Sequence, residues 1–128
     1  MITLFGTIPV YIKMYVNRVE VMDLRSGESL TKATNDGEFS NDRLVVANFQ
    51  VAEALVRLVL KDLLKLRSFL QPSLRVVNKQ MEKLEGGLSQ IEIRVLRDLA
   101  EVAGASHVAV IEKARPLSQQ EALSELNK

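Results

Sequence analysis

One short pattern occurs twice and constrains the second half of the chain. Leu88-Ser89-Gln90 is followed by Glu92, and Leu117-Ser118-Gln119 by Glu121, so each serine stands three residues ahead of a glutamate. This is the capping box, in which serine accepts the N–H of the third helical residue and glutamate accepts that of the serine. Two helix starts are thereby set. The first helix carries Ile93, Leu96, Leu99, Ala100 and Ala103 on an inner stripe and Arg94, Arg97, Asp98 and Glu101 on a wet face. Leu88 and Ile93 form its hydrophobic staple, and Gly104 supplies a left-handed stop. The second, shorter helix runs through Leu126. Between them His107 to Glu112 is a continuous apolar run, the pattern of a strand covered on both faces, expected to be central and parallel.

Upstream, Val10 to Val16 and Val19 to Leu24 alternate around Asn17-Arg18, where asparagine tolerates the positive φ of a tight hairpin. One face of that hairpin is expected to be buried and the other wet. Ser26-Gly27 closes its second strand, and Glu28 to Ala33 supplies a third before Asn35-Asp36-Gly37 turns the chain. From Phe49 the apolar residues recur with a period near 3.6 as far as Leu70, which predicts the main helix, started by Asn48 or Gln50 and stopped by Pro72 after a fraying end at Ser68 to Gln71. Leu74 to Val77 is a short β-prone run, and the polar stretch Asn78 to Glu85 with Gly86-Gly87 reads as a strand leaving the sheet and turning over its edge. The order β-β-β-α-β-α-β-α implies an α/β fold: a mixed sheet led by a hairpin, with right-handed crossovers and helices on both faces.

A length of 128 residues with 47% hydrophobic content fits one domain, 1–128. The net charge of +1 excludes a nucleic-acid polycation. With no cysteine and one histidine, thiol chemistry, zinc fingers, iron–sulfur ligation and two-histidine sites are excluded. Met1 to Val10 has neither a basic start nor a small-residue cleavage site, and charges interrupt Leu44 to Leu70, so a cytoplasmic protein without a secretory signal or spanning helix is expected.

Three stretches resemble the MreB/actin-like, rod shape-determining family. Leu44 to Arg57 (LVVANFQVAEALVR) resembles the family's Val-Ile-Ala-Asp-Phe-Asp segment entering its first long helix. Gly87 to Leu96 (GLSQIEIRVL) is similar to its turn into the second helix, and Ala103 to Glu112 (AGASHVAVIE) to its Ala-Gly-Ala-x-x-Val-Tyr-Leu-Ile-Glu strand. Residues about 44 to 113 are covered, the hairpin only by its pattern. The resemblance implies a ribonuclease-H-like core, a truncated equivalent of the first actin subdomain in which the Ser26 to Asp42 loop replaces the small inserted subdomain. It also implies where nucleotide would sit, and there the chain departs from the family. Asn17-Arg18 stands where actin-like ATPases have an Asp-x-Gly-Thr phosphate turn, and the chain ends near Lys128, before a second glycine-rich loop. No cofactor and no ATPase activity are therefore expected.

Candidate site residues remain. Glu112 matches the family glutamate that helps place the attacking water, and it reads otherwise as a solvated strand-end carboxylate. Gly86, Gly87 and Ser89 precede a helix N-terminus, where anions dock, and otherwise form a tight turn. His107 lacks a second ligand for a metal site. Glu82, Glu85, Glu92 and Asp98 are carboxylates of the kind a nuclease clusters around a metal, with capping the expected role of Glu92. Lys61, Lys65, Arg67, Arg75, Lys79 and Lys83 form a basic stretch with only Phe69 as nearby aromatic, so a solvated face and no nucleic-acid partner are expected. Met1, Ile2, Leu4 and Phe5 offer membrane contact but no basic residue, which favours packing or a dimer contact.

The expected function is a non-enzymatic interaction or scaffold domain linked to bacterial cell shape, self-associating as a homodimer or binding a protein partner. A small metal-dependent hydrolase or nuclease using Glu112, and a peripheral membrane adaptor, are the alternatives.

Overall fold

The computed structural model describes residues 7–34, 37–66 and 73–128. Its elements follow the predicted order: β1 (Ile8–Tyr15), β2 (Arg18–Asp23), β3 (Ser29–Ala33), α1 (Phe49–Leu64), β4 (Leu74–Gln80), α2 (Gln90–Val102), β5 (Ala105–Ile111) and α3 (Gln119–Leu126). The five strands form one mixed sheet, β3-β2-β1-β4-β5. Only β2 runs against its neighbours; β1 pairs β4, and β4 pairs β5, in parallel.

Local chemistry sets several boundaries. Asn17 turns β1 into β2 at φ 53°, a left-handed geometry that asparagine adopts more readily than other side chains. Both capping boxes are present: Ser89 with Glu92 at α2, and Ser118 with Glu121 at α3. Gly104 takes φ 113° immediately after α2. Asn48, one of the two predicted starts, caps α1 by accepting the Val51 N–H.

α1 stops earlier than its periodicity suggests. Lys65 adopts φ 55°, ψ 47°, and the Leu66 N–H turns back to the Lys61 carbonyl at 3.0 Å. That 6→1 bond is a Schellman-type closure, made here without glycine. Ser68 to Gln71, Pro72, the Asn35-Asp36 pair and the apolar N-terminal residues Met1, Ile2, Leu4 and Phe5 lie outside the described residues.

α1 and α2 cover one sheet face over the larger core, which includes Ile12, Val21, Phe39, Val59, Leu96 and Leu99. Full burial of side chains of this size contributes about 1.5–3 kcal/mol each. α3 covers the other face, where Tyr11, Val77 and Ile111 meet Leu117, Ala122 and Leu126. The hairpin is therefore not half wet: Tyr11 is fully buried, and its hydroxyl accepts the Leu117 N–H at 3.3 Å. What alternation along β1 could not show was which later element covers the second face.

Two further strands differ from expectation. β4 does not leave the sheet after Val77 but lies between β1 and β5, running through Asn78, Lys79 and Gln80, all buried. Each of those polar side chains finds a donor's partner: Asn78 Nδ2 donates to the Leu96 carbonyl at 2.8 Å, Lys79 Nζ to that of Lys113, and Gln80 Nε2 to that of Glu82 at 3.1 Å. β5 is parallel as expected but sits at the edge, with Ser106 and His107 exposed. An apolar run reports covered faces, which helices provide at an edge as well as at the centre. The Ser26 to Asp42 stretch is likewise structured in part, holding β3 and burying Phe39 and Ser40. No helix among the described residues is long and apolar enough to cross a membrane.

Candidate functional site

The carboxyl ends of β1, β4 and β5 share one end of the sheet, the position at which open α/β sheets take ligands. The β1–β2 turn lies there. Left-handed Asn17 aims its amide into the loop that follows β3: Oδ1 accepts the N–H of Phe39 at 2.9 Å and of Ser40 at 2.8 Å, and Nδ2 donates to Glu38 at 3.2 Å. The Asn17 N–H donates to Ser40 Oγ at 2.9 Å, and that hydroxyl donates to the Val45 carbonyl. From β4's end, Glu82 Oε2 accepts the Val16 N–H at 2.7 Å. Phosphate cradles need backbone N–H groups that converge on open space. Here the Val16 and Asn17 amides already have internal acceptors, and one acceptor is a carboxylate that repels an anion.

The α2 N-terminus is similarly filled from within. Gly86 and Gly87 take φ 78° and 81°, with open space where a side chain would project. Ser89, however, is committed to the cap: its Oγ accepts the Glu92 N–H at 3.1 Å, while Glu92 Oε1 accepts the Ser89 N–H at 2.9 Å. Glu92 Oε2 also accepts from Gln80 Nε2 at 3.3 Å. The favourable dipole position is held by the helix's own carboxylate.

The remaining candidates are dispersed. Glu112 is exposed just past β5, and among the described residues no hydrogen-bond or ion-pair partner reaches it. His107 is exposed on β5. Glu82 and Glu92 are engaged as described, Asp98 pairs with Arg94 at 3.5 Å, and Glu85 is exposed. Among the described residues no three histidines or carboxylates gather as a metal-binding group.

Nor do the basic residues form one solvated face. Lys61 and Lys65 mark the end of α1, whereas Lys83 lies past the far end of β4 and donates to the Asp42 carbonyl at 2.9 Å. Lys79 is fully buried, and burial holds its ammonium below the usual lysine range. Arg67 and Phe69 lie outside the described residues.

Sequence reasoning found Asn17 as a turn former but missed its side chain as an organiser of the following loop. The signal available was an asparagine, not a glycine, at the left-handed position: glycine suffices for the turn, but only a side chain can hold a neighbour. Lys79 was missed because its neighbours are polar.

No family model matches the chain. The chain is 42% identical over 101 residues to the uncharacterized protein YjaA of Escherichia coli (strain K12), an alignment that covers 75% of this chain and 75% of that protein.

Proposed function

This chain belongs to the family of YjaA, and we propose that it is a non-enzymatic interaction or scaffold domain on a ribonuclease-H-like, MreB/actin-like subdomain. The observation carrying this reading is the closed β1–β2 turn, whose Val16 and Asn17 amides are bonded to Glu82 and Ser40. A turn that cradles phosphate in actin-like ATPases serves here as a latch between a hairpin and a loop. The strand order and the single antiparallel strand support the ribonuclease-H-like core. The resemblance of residues about 44 to 113 supports the actin-like subdomain, its cytoplasmic setting and the link to cell shape.

The test is a thermal-shift titration with ATP and Mg²⁺. Ligand at about 100 times its dissociation constant adds roughly 2.7 kcal/mol, or about 10 °C for a chain of this length. The proposal predicts no shift at millimolar nucleotide. A clear shift lost in Glu112→Gln would overturn it, and a shift with Mn²⁺ alone would favour the metal-dependent hydrolase instead.

A further inference from the structure

The β3 side of the sheet combines an open strand edge with an apolar groove. Thr34 N–H bonds to Asn17 O at 3.1 Å and Asp23 N–H to Glu28 O at 2.8 Å, and the β2–β3 register alternates between those pairs. In an antiparallel ladder the intervening residues point their backbone groups away. Ser29, Thr31 and Ala33 therefore present N–H and C=O groups outward, with exposed side chains, and among the described residues no strand takes them. Beside them, between the edge and α1, lies a groove of about 320 Å³ lined by Ala33, Val51, Ala54, Leu55 and Leu58. Leu58 is 45% exposed.

Proteins usually blunt such an edge with a charged side chain. The one charge on β3 is Lys32, and it is drawn onto Asp62 of α1 at 3.1 Å, so the edge is left neutral. The surface that remains, Ser29, Thr31, Ala33, Val51, Ala54 and Leu58, contains no charge at all. Such a surface gives no electrostatic preference for an acidic or basic partner and does not repel its own copy, nor does a molecule of net charge +1.

We propose that the occupant is a second copy of this chain, with β3 pairing antiparallel to β3 about a twofold axis at Thr31 and the two α1 helices closing over the groove. Ser29 then faces Ala33 of the second copy, and the outward groups of both edges are satisfied together. Leu30 of the second copy comes opposite Lys32, at the mouth of the groove, and the uncharged stripes Val51, Ala54 and Leu58 approach across the axis. The product is one continuous sheet through both copies, an isologous closed dimer. This deepens the interaction-domain reading by naming the partner, and the two fail separately: nucleotide titration reads the β1–β2 turn, while the following experiment reads the β3 edge.

The chain has no cysteine, so single cysteines are clean probes. Residues opposed as a hydrogen-bonded pair have Cα atoms about 5.5 Å apart, within disulfide reach. Thr31→Cys should form a disulfide-linked dimer under mild oxidation, whereas Ser106→Cys on the β5 edge should not. Sedimentation equilibrium of the full chain at tens of micromolar should give the dimer mass, and Leu58→Glu should give the monomer mass with an unchanged circular dichroism spectrum. A wild-type monomer over that range would leave the edge to a foreign strand and overturn the proposal. So would a dimer untouched by Leu58→Glu in which Thr31→Cys does not cross-link.

Discussion

Replacing Asn17 by glycine isolates the side-chain latch, because glycine keeps the φ of 53° at no steric cost. What is lost is the Oδ1 acceptor for the N–H groups of Phe39 and Ser40, both buried. Leaving two such donors unmatched costs about 1–1.5 kcal/mol each, and relief of the left-handed strain returns up to about 1 kcal/mol. The net destabilisation is about 2 kcal/mol, which at roughly 2.1 cal/mol/K per residue lowers Tm by about 7 °C. Asn17→Ala loses the same bonds and adds the penalty of an alanine at positive φ, so it should be about 1–2 kcal/mol worse than glycine. Urea unfolding followed by circular dichroism measures both, with an unchanged m-value showing that the unfolded state is unaffected. A glycine variant within about 0.5 kcal/mol of wild type would refute the latch, since two unmatched buried donors cannot cost so little. Alanine and glycine variants of equal stability would refute the conformational part of the argument.

The capping glutamate of α3 gives a pH prediction. Arg115 grips Glu121 through two hydrogen bonds, at 3.0 and 2.5 Å, and with the Ser118 N–H it lowers the Glu121 pKa from 4.5 to about 2. A depressed carboxylate stabilises the fold above its unfolded pKa and loses that contribution as pH falls from about 4.5 toward 2. Glu121→Gln, which can keep the capping box, should flatten this limb of an acid titration of Tm; an unchanged limb would place the acid sensitivity elsewhere. Lys79 has the opposite sense. Its ammonium is depressed by burial, so its cost is full at neutral pH and fades as pH rises toward 10.5. Lys79→Met should raise Tm at pH 7 and remove the gain between neutral and alkaline pH, and a lower Tm at pH 7 would show that its bond to the Lys113 carbonyl outweighs desolvation.

What was legible in the sequence was local. The serine–glutamate pairs placed α2 and α3, Asn17 placed the hairpin turn, and alternation placed β1 to β3, because each signal acts over a few residues. What was not legible depended on distant partners. Asn78, Lys79 and Gln80 read as a polar exit because only the fold brings up the carbonyls of Leu96, Lys113 and Glu82 that accept from them. The second burial of Tyr11 depends on Leu117, far along the chain. At the candidate site, the family-matched position of Glu112 was readable, but the closure of the turn by Ser40 and Glu82 was not, since neither residue lies in any motif with Asn17.

The strand order has a consequence for how this domain holds together. β3, β2, β1 and α1 come from residues 8–64, and β4, α2, β5 and α3 from residues 74–126, so the sheet consists of two sequence-contiguous blocks that meet along β1 and β4 alone. Across that seam run the Ile8–Leu74 register, Val16 to Glu82, Arg57 Nη2 to the Val102 carbonyl and Gln119 to the Leu24 carbonyl. Each block has a hydrophobic face that only the other completes, so the two fold as one cooperative unit although neither interleaves with the other. The fold is in effect an internal heterodimer on one chain, divisible between α1 and β4 into complementary fragments that have every reason to find each other.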